Sequence, residues 1–282
     1  MLRLAILIFT CLPAGHLVAD ESTVFPKDST WETVGEGYQI VEGIATDKDG
    51  IVYLTDVPDS ELIRLPEKRE AKVMDPATSQ ANGLSFGPDG RLYGACMADS
   101  AILCWDLQSG GRTRIETPTP ANDLAITADG TIFYTWGAAN AIYQIKPAQK
   151  SPALSVAIPY PNGITLSHDR REVWVGEFFG DTVRAFPIQK DGTLGPSRVA
   201  FKVMTPENGK GLIDGMTPLT DGRLLAATAL GLQIASPDAD PVVLPNPTSH
   251  RANYVRILTD AAGQRWIYAA HVKSVIRRRT LL

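Results

Sequence analysis

Six segments of the chain share one pattern, and their spacing limits what the chain can fold into. They open at Glu42, Asn82, Asn122, Asn162, Asp214 and Asn253, with intervals of 40, 40, 40, 52 and 39 residues. Each places an apolar residue two positions later: Ile44, Leu84, Leu124, Ile164, Met216 and Val255. Each places Asp seven positions later: Asp49, Asp89, Asp129, Asp169, Asp221 and Asp260. An apolar pair then follows, from Val52-Tyr53 in the first segment to Ile267-Tyr268 in the last. A short apolar run, an Asp-Gly turn and a second β-rich run make a hairpin. The rest of each period holds further strand-like runs, such as Ile102 to Trp105 and Ala141 to Ile145. No helical periodicity interrupts them. A period of about 40 residues with four strands is that of a propeller blade. The spacing therefore predicts an all-β chain, a six-bladed β-propeller with four-stranded blades around a central channel, in one domain over 20–282. Trp31 to Val34 is expected to supply the outer strand of the last blade, beside Val275 to Arg279. The longer fourth interval is expected to form a polar loop on one face, from Lys190 to Gly211.

Composition narrows the partners. A net charge of -4 excludes nucleic acid as the main partner, because such sites need clustered Lys and Arg. Residues 1–19 read as a signal peptide: Arg3, a short apolar run from Leu4 to Leu12, and Ala19 at a small-residue cleavage site. The expected location is secreted or periplasmic, with no stable membrane span after signal removal. Three cysteines without a C-x-x-C pair exclude a cysteine zinc site. Cys96 and Cys104 flank the turn at Asp99-Ser100, and the sequence leaves open whether they pair or stay free. Arg277-Arg278-Arg279 reads as a solvated edge of the terminal strand.

In a closed ring, equivalent positions surround the channel. Glu42, Asn82, Asn122, Asn162, Asp214 and Asn253 should therefore circle one mouth, each carrying a side-chain oxygen. Six oxygen donors, two of them carboxylates, suit a hard divalent cation, calcium first. Zinc or manganese are the alternatives. The hairpin returns the end of each second strand to the same mouth: Asp56, Cys96, Trp136, Glu177, Thr228 and His271. Acids, a histidine and an aromatic group beside a cation make this mouth the expected site.

Several of these residues carry a family resemblance over essentially the whole chain that follows the signal segment. They are Val41-Glu42-Gly43, Ala121-Asn122-Asp123, Pro161-Asn162-Gly163 and Ile213-Asp214-Gly215-Met216, with the loop Asp191-Gly192-Thr193-Leu194-Gly195-Pro196. The chain resembles the senescence marker protein/gluconolactonase family of regucalcin-like six-bladed propellers. That resemblance implies a metal held by Glu42, Asn122, Asn162 and Asp214. Asn82 and Asn253 would then be channel neighbours that, with Trp136 and Asp56, line the substrate pocket. Two positions depart from the sugar-lactone pattern. Pro120 stands where such proteins often carry a substrate-contacting Arg, and Trp136-Gly137 stands where many have Asp-Pro. A more apolar or ring-shaped ligand is expected.

The resemblance also implies metal-dependent hydrolysis of a lactone or related ester. Asp214 is the first candidate for the base, followed by Glu177 and His271. No G-x-S-x-G nucleophile elbow occurs, which argues against a serine hydrolase. The competing expectation is a non-catalytic secreted propeller that binds a carbohydrate or protein partner, its identity unknown from sequence.

Overall fold

In the computed structural model, which describes residues 21–65, 71–147, 152–207, 209–244 and 251–282, six four-stranded antiparallel sheets form. The expected signal segment lies outside these residues. The first blade runs Val41–Thr46, Val52–Asp56, Glu61–Leu65, Lys72–Asp75; the second Ala81–Phe86, Leu92–Cys96, Ala101–Asp106, Gly111–Glu116. The third runs Leu124–Ile126, Ile132–Trp136, Ala141–Ile145, Ala153–Ala157; the fourth Pro161–Leu166, Glu172–Glu177, Thr182–Pro187, Arg198–Lys202. The fifth runs Met216–Pro218, Leu224–Thr228, Gly231–Ala235, Val242–Val243. The sixth takes Tyr254–Thr259, Arg265–His271 and Ser274–Arg279 from the C-terminal end, and its outer strand, Glu32–Glu36, from the N-terminal side. This latch closes the ring as the sequence predicts.

The blades form a ring because each sheet buries both faces against its neighbours. Buried apolar clusters lie between each successive pair of blades, for example Tyr53 and Leu62 against Leu84 and Leu92. A further cluster joins the first blade to the sixth through Ile44, Leu54, Tyr254 and Tyr268. At roughly 25 cal/mol per Å² of apolar surface removed from water, these interfaces are the main stabilising contribution.

The recurring Asp has a local cause. Asp89 Oδ1 accepts from the Arg91 amide at 3.1 Å, and Asp221 Oδ1 from the Arg223 amide at 3.1 Å. This capture of an amide two residues on fixes the turn. Gly90 and Gly222 then take positive φ, 77° and 89°, which costs glycine little. In the fourth blade Arg170 adopts the same left-handed conformation at φ 59°.

The long fourth interval differs from the single loop expected. Part of it is a turn before Arg198–Lys202, pinned by an Ile188–Leu194 bridge, and part is the segment leading to Asp214. The Arg198–Lys202 strand, which completes the fourth sheet, divides it. Cys96 and Cys104 are buried and free: the register pairs Cys96 with Ala101 and Cys104 with Tyr93, so they do not face each other.

Candidate functional site

Each site residue sits where its strand leaves regular pairing. In the first blade Val41 pairs with Asp56 and Ile44 with Leu54, so three steps on one strand oppose two on the other. The same irregularity falls between Ala81 and Leu84 and between Pro161 and Ile164. These are β-bulges, which bend a strand and re-aim its side chains. Glu42, Asn82 and Asn162 lie within them. Their neighbours bond to adjacent blades. The Thr55 hydroxyl donates to Asn82 O at 2.9 Å, Thr135 to Asn162 O at 2.6 Å, and the Gly83 amide to Asn122 O at 2.9 Å.

Four buried side-chain oxygens of the ring accept no hydrogen bond: Glu42 Oε2, Asn122 Oδ1, Asn162 Oδ1 and Asn253 Oδ1. Leaving such an acceptor unsatisfied costs about 1–3 kcal/mol. The remaining ring members are engaged. Asn82 Nδ2 lies 3.2 Å from Met97 Sδ. Asp214 Oδ2 accepts from Arg251 at 3.2 Å. Burial raises the Asp214 carboxyl to about 7, against the opposing pull of Arg251. Burial, with the charge of Asp214 as the next cause, pushes Glu42 well above its usual range. Two acids that destabilise each other's charge, beside orphaned amide oxygens, form a set of hard donors that fits a divalent cation. Among the described residues no group of three His, Cys, Asp or Glu is disposed to hold a metal; here amides make up much of the donor set.

The second strands end where the sequence places them, at Asp56, Cys96, Trp136, Glu177, Thr228 and His271. Their surroundings differ. Asp56 accepts from the Gln39 amide at 2.9 Å and the Ile40 amide at 3.0 Å, so its carboxylate holds the backbone of the rim. Glu177 forms an ion pair with Arg184 on the adjacent strand at 2.5 Å. Thr228 donates to Gly231 O at 2.8 Å. His271 is buried, and Trp136 is half-buried.

Sequence reasoning missed the floor of the site. The residue after each ring member is Gly43, Gly83, Asp123, Gly163, Gly215 and Tyr254. The glycines leave room where the inner strands converge: a Cβ at Gly83 would overlap Asp123 Oδ1, and one at Gly215 the Tyr254 ring. The two exceptions stand three blades apart and meet across the channel. The Tyr254 hydroxyl donates to Asp123 Oδ1 at 2.9 Å, and Arg256 donates to the Tyr254 oxygen at 2.6 Å. Asp123 also accepts from the Leu124 and Ile164 amides. Burial raises its pKa, opposed by Arg256 and these bonds. The signal was present in the sequence as two departures from Gly at one repeat position. Beyond this plug, toward the Asp-Gly turns, a separate cavity of about 420 Å³ is lined by Ser85, Thr165, Thr217 and Arg256 among others. Arg251 was also missed. It stands two residues before Asn253, with its guanidinium against Asp214 and 5.7 Å from the Phe178 ring centre.

Comparison with known proteins now bears on this geometry. The model of the SMP-30/Gluconolactonase/LRE-like region matches residues 40–244. A gluconolactonase of Zymomonas mobilis is 24% identical over 190 residues, 57% of this chain. The match spans about half the length of that relative, 52%. A solved gluconolactonase from Xanthomonas campestris superposes with a TM-score of 0.79 at 18% identity, covering 94% of each chain. A calcium-binding regucalcin from Agrobacterium tumefaciens gives 0.71 at 16% identity, covering 92% of this chain and 96% of that one. The structural likenesses establish the fold; the family match, over most of the chain, establishes descent. The chain belongs to the SMP-30/gluconolactonase/LRE-like family.

Proposed function

We propose that this protein is a divalent-cation-dependent lactonase, opening a lactone or related carboxylic ester by hydrolysis. The observation that carries the reading is the set of four orphaned oxygens beside Asp214 at one channel mouth. Membership of a family that includes gluconolactonases supports it. Glu42, Asn122, Asn162 and Asp214 would hold the ion, calcium before zinc or manganese, with Asn82 and Asn253 beside it. When bound, such an ion supplies positive charge that polarises a carbonyl and stabilises the developing oxyanion.

The chain's own groups do the rest. Asp214, already at the mouth, accepts the proton of the attacking water. A C–O bond forms from water to the acyl carbon, the ring C–O bond breaks, and the proton passes to the departing alkoxide. Arg251 orients the Asp214 carboxylate through their hydrogen bond. Glu177, held by Arg184, is less free to serve, and His271 is the second candidate. The Asp123–Tyr254 hydrogen bond spans the channel beneath the site. We further propose that the chain is exported and that the mature form begins near Asp20.

The test is hydrolysis of a lactone and ester panel, followed by acid release, with calcium, zinc, manganese or chelator. Metal-dependent turnover that disappears in Asp214→Ala is expected. Equal turnover in chelator, or none with a metal that calorimetry shows to be bound, would overturn the reading.

A further inference from the structure

Two sets of positions form the rim of the mouth, and their chemistry is unlike what a polyhydroxylated sugar needs. Two residues before each ring member stand Ile40, Gln80, Pro120, Tyr160, Leu212 and Arg251. One residue after each second strand stand Val57, Met97, Gly137, Phe178, Ala229 and Val272. Backbone bonds stitch the two sets together, such as the Val57 amide to Ile40 O at 3.0 Å and the Phe178 amide to Tyr160 O at 3.0 Å. The second set offers no strong hydrogen-bonding side chain at all. In the first, only Gln80, Arg251 and the Tyr160 hydroxyl do so. A site that reads hydroxyls by hydrogen bonds needs many such groups, because each buried, unmatched one costs affinity.

The fourth blade concentrates aromatic surface on this rim. Tyr160, Phe178 and Phe179 contact one another, with the Tyr160–Phe179 ring centres 4.6 Å apart and Phe178–Phe179 4.9 Å. Tyr160 and Phe179 are nonetheless 39% and 45% exposed. Exposed, contiguous aromatic surface marks a binding face. Tyr160 takes the left-handed region at φ 36°, as Gln80 and Leu212 do at the same repeat position, so this conformation belongs to the rim turn. The Tyr160 ring occupies space left by Gly137, where a Cβ would lie 2.7 Å from it. Arg251 over Phe178, at 5.7 Å, and Lys210 over Phe179, at 5.5 Å, hold the wall from its other sides.

We propose that the substrate is a lactone bearing an apolar, ring-shaped substituent, which lies on Tyr160, Phe178 and Phe179 while its carbonyl faces the ring of oxygens. This inference rests on the lactonase reading. It assigns these three residues to specificity rather than to the chemical step.

The test compares kcat/KM for a phenyl-substituted δ-lactone, the unsubstituted δ-lactone and glucono-δ-lactone. The phenyl lactone should be preferred over the unsubstituted one by about tenfold or more, a scale set by burying a substituent in an apolar pocket. Glucono-δ-lactone should be the poorest of the three. Phe179→Ala should reduce the phenyl preference about tenfold. Leu154→Ala, on an exposed apolar residue of an outer strand, should leave that ratio unchanged. A preference for glucono-δ-lactone, or an unaltered ratio in Phe179→Ala, overturns the inference and leaves the lactonase reading standing. A companion measurement is calorimetric binding of a phenyl-substituted cyclic ketone, which needs no turnover. Binding that weakens in Phe179→Ala supports the wall even if every lactone is inert, an outcome that would overturn only the lactonase reading. Failure to bind overturns the wall.

Discussion

Replacing Asp214 by Asn should stabilise the metal-free protein at alkaline pH, although it removes a site residue. Asp214 is buried, and its carboxyl is raised from 3.8 to about 7. The folded state therefore binds a proton that the unfolded state has released between these values. Stability from this group is fully present below about pH 4 and is lost progressively as pH rises to about 7. A shift of about three units corresponds to about 4 kcal/mol at pH 8, at 1.36 kcal/mol per unit. Glu42, also raised, acts in the same direction. The opposing pull of Arg251 is already contained in that value, so Asn, which carries no charge, removes the whole penalty. The gain at pH 8 is therefore about 4 kcal/mol. For a chain of this size that is roughly 8–16 °C in midpoint. At pH 5 the folded protein keeps this proton but the unfolded chain has released it, so the gain should shrink by about 3 kcal/mol without vanishing. Thermal unfolding followed by circular dichroism, in chelator, at both pH values measures the difference. With calcium at about a thousandfold excess over Kd the gap should close, because wild type gains about 4 kcal/mol and Asp214→Asn does not. A mutant-minus-wild-type difference in chelator that does not change between pH 5 and pH 8 would refute the reasoning, as would equal calcium stabilisation of both proteins.

Two further outcomes follow from the floor of the channel. Tyr254→Phe removes the hydroxyl that donates to Asp123 and accepts from Arg256. It should cost about 1–3 kcal/mol in urea unfolding, because a buried carboxylate loses a donor. A cost below 0.5 kcal/mol would show that the plug contributes nothing. Gly83→Ala places a Cβ against Asp123 and its backbone, whereas Gly90→Ala meets open space and only strains a positive φ. The first should destabilise by more than about 2 kcal/mol and the second by about 1 kcal/mol. Equal effects would count against the convergence of the inner strands.

The fold was legible because its cause is repetitive. Apolar residues recur at positions that must be buried between blades, and Asp recurs where a turn needs an amide acceptor. Both are local requirements, visible as register. The latch was legible for the same reason: Glu32–Glu36 lies outside the repeats, while the last blade lacks its outer strand. The long interval was less so, since the Arg198–Lys202 strand that divides it has no distinctive pattern of its own.

At the site, chain order located every ring position, because strand length and turn position place each one at the same mouth. What each side chain does there depended on contacts distant in sequence. Asp123 and Tyr254 are 131 residues apart and meet only because the third and sixth blades face each other. Arg251 is 37 residues from Asp214 and reaches it from the next blade. Glu177 stood behind Asp214 as a base in the sequence, and Arg184 on the adjacent strand holds it in an ion pair. The sequence by itself determined the number of blades and the residues that open each innermost strand, because these follow from periodicity and residue type. Tertiary structure alone decided which acids are paired, which oxygens are left without partners and where the aromatic wall stands. Desolvation and hydrogen-bond satisfaction are properties of the closed ring, and no single segment contains them.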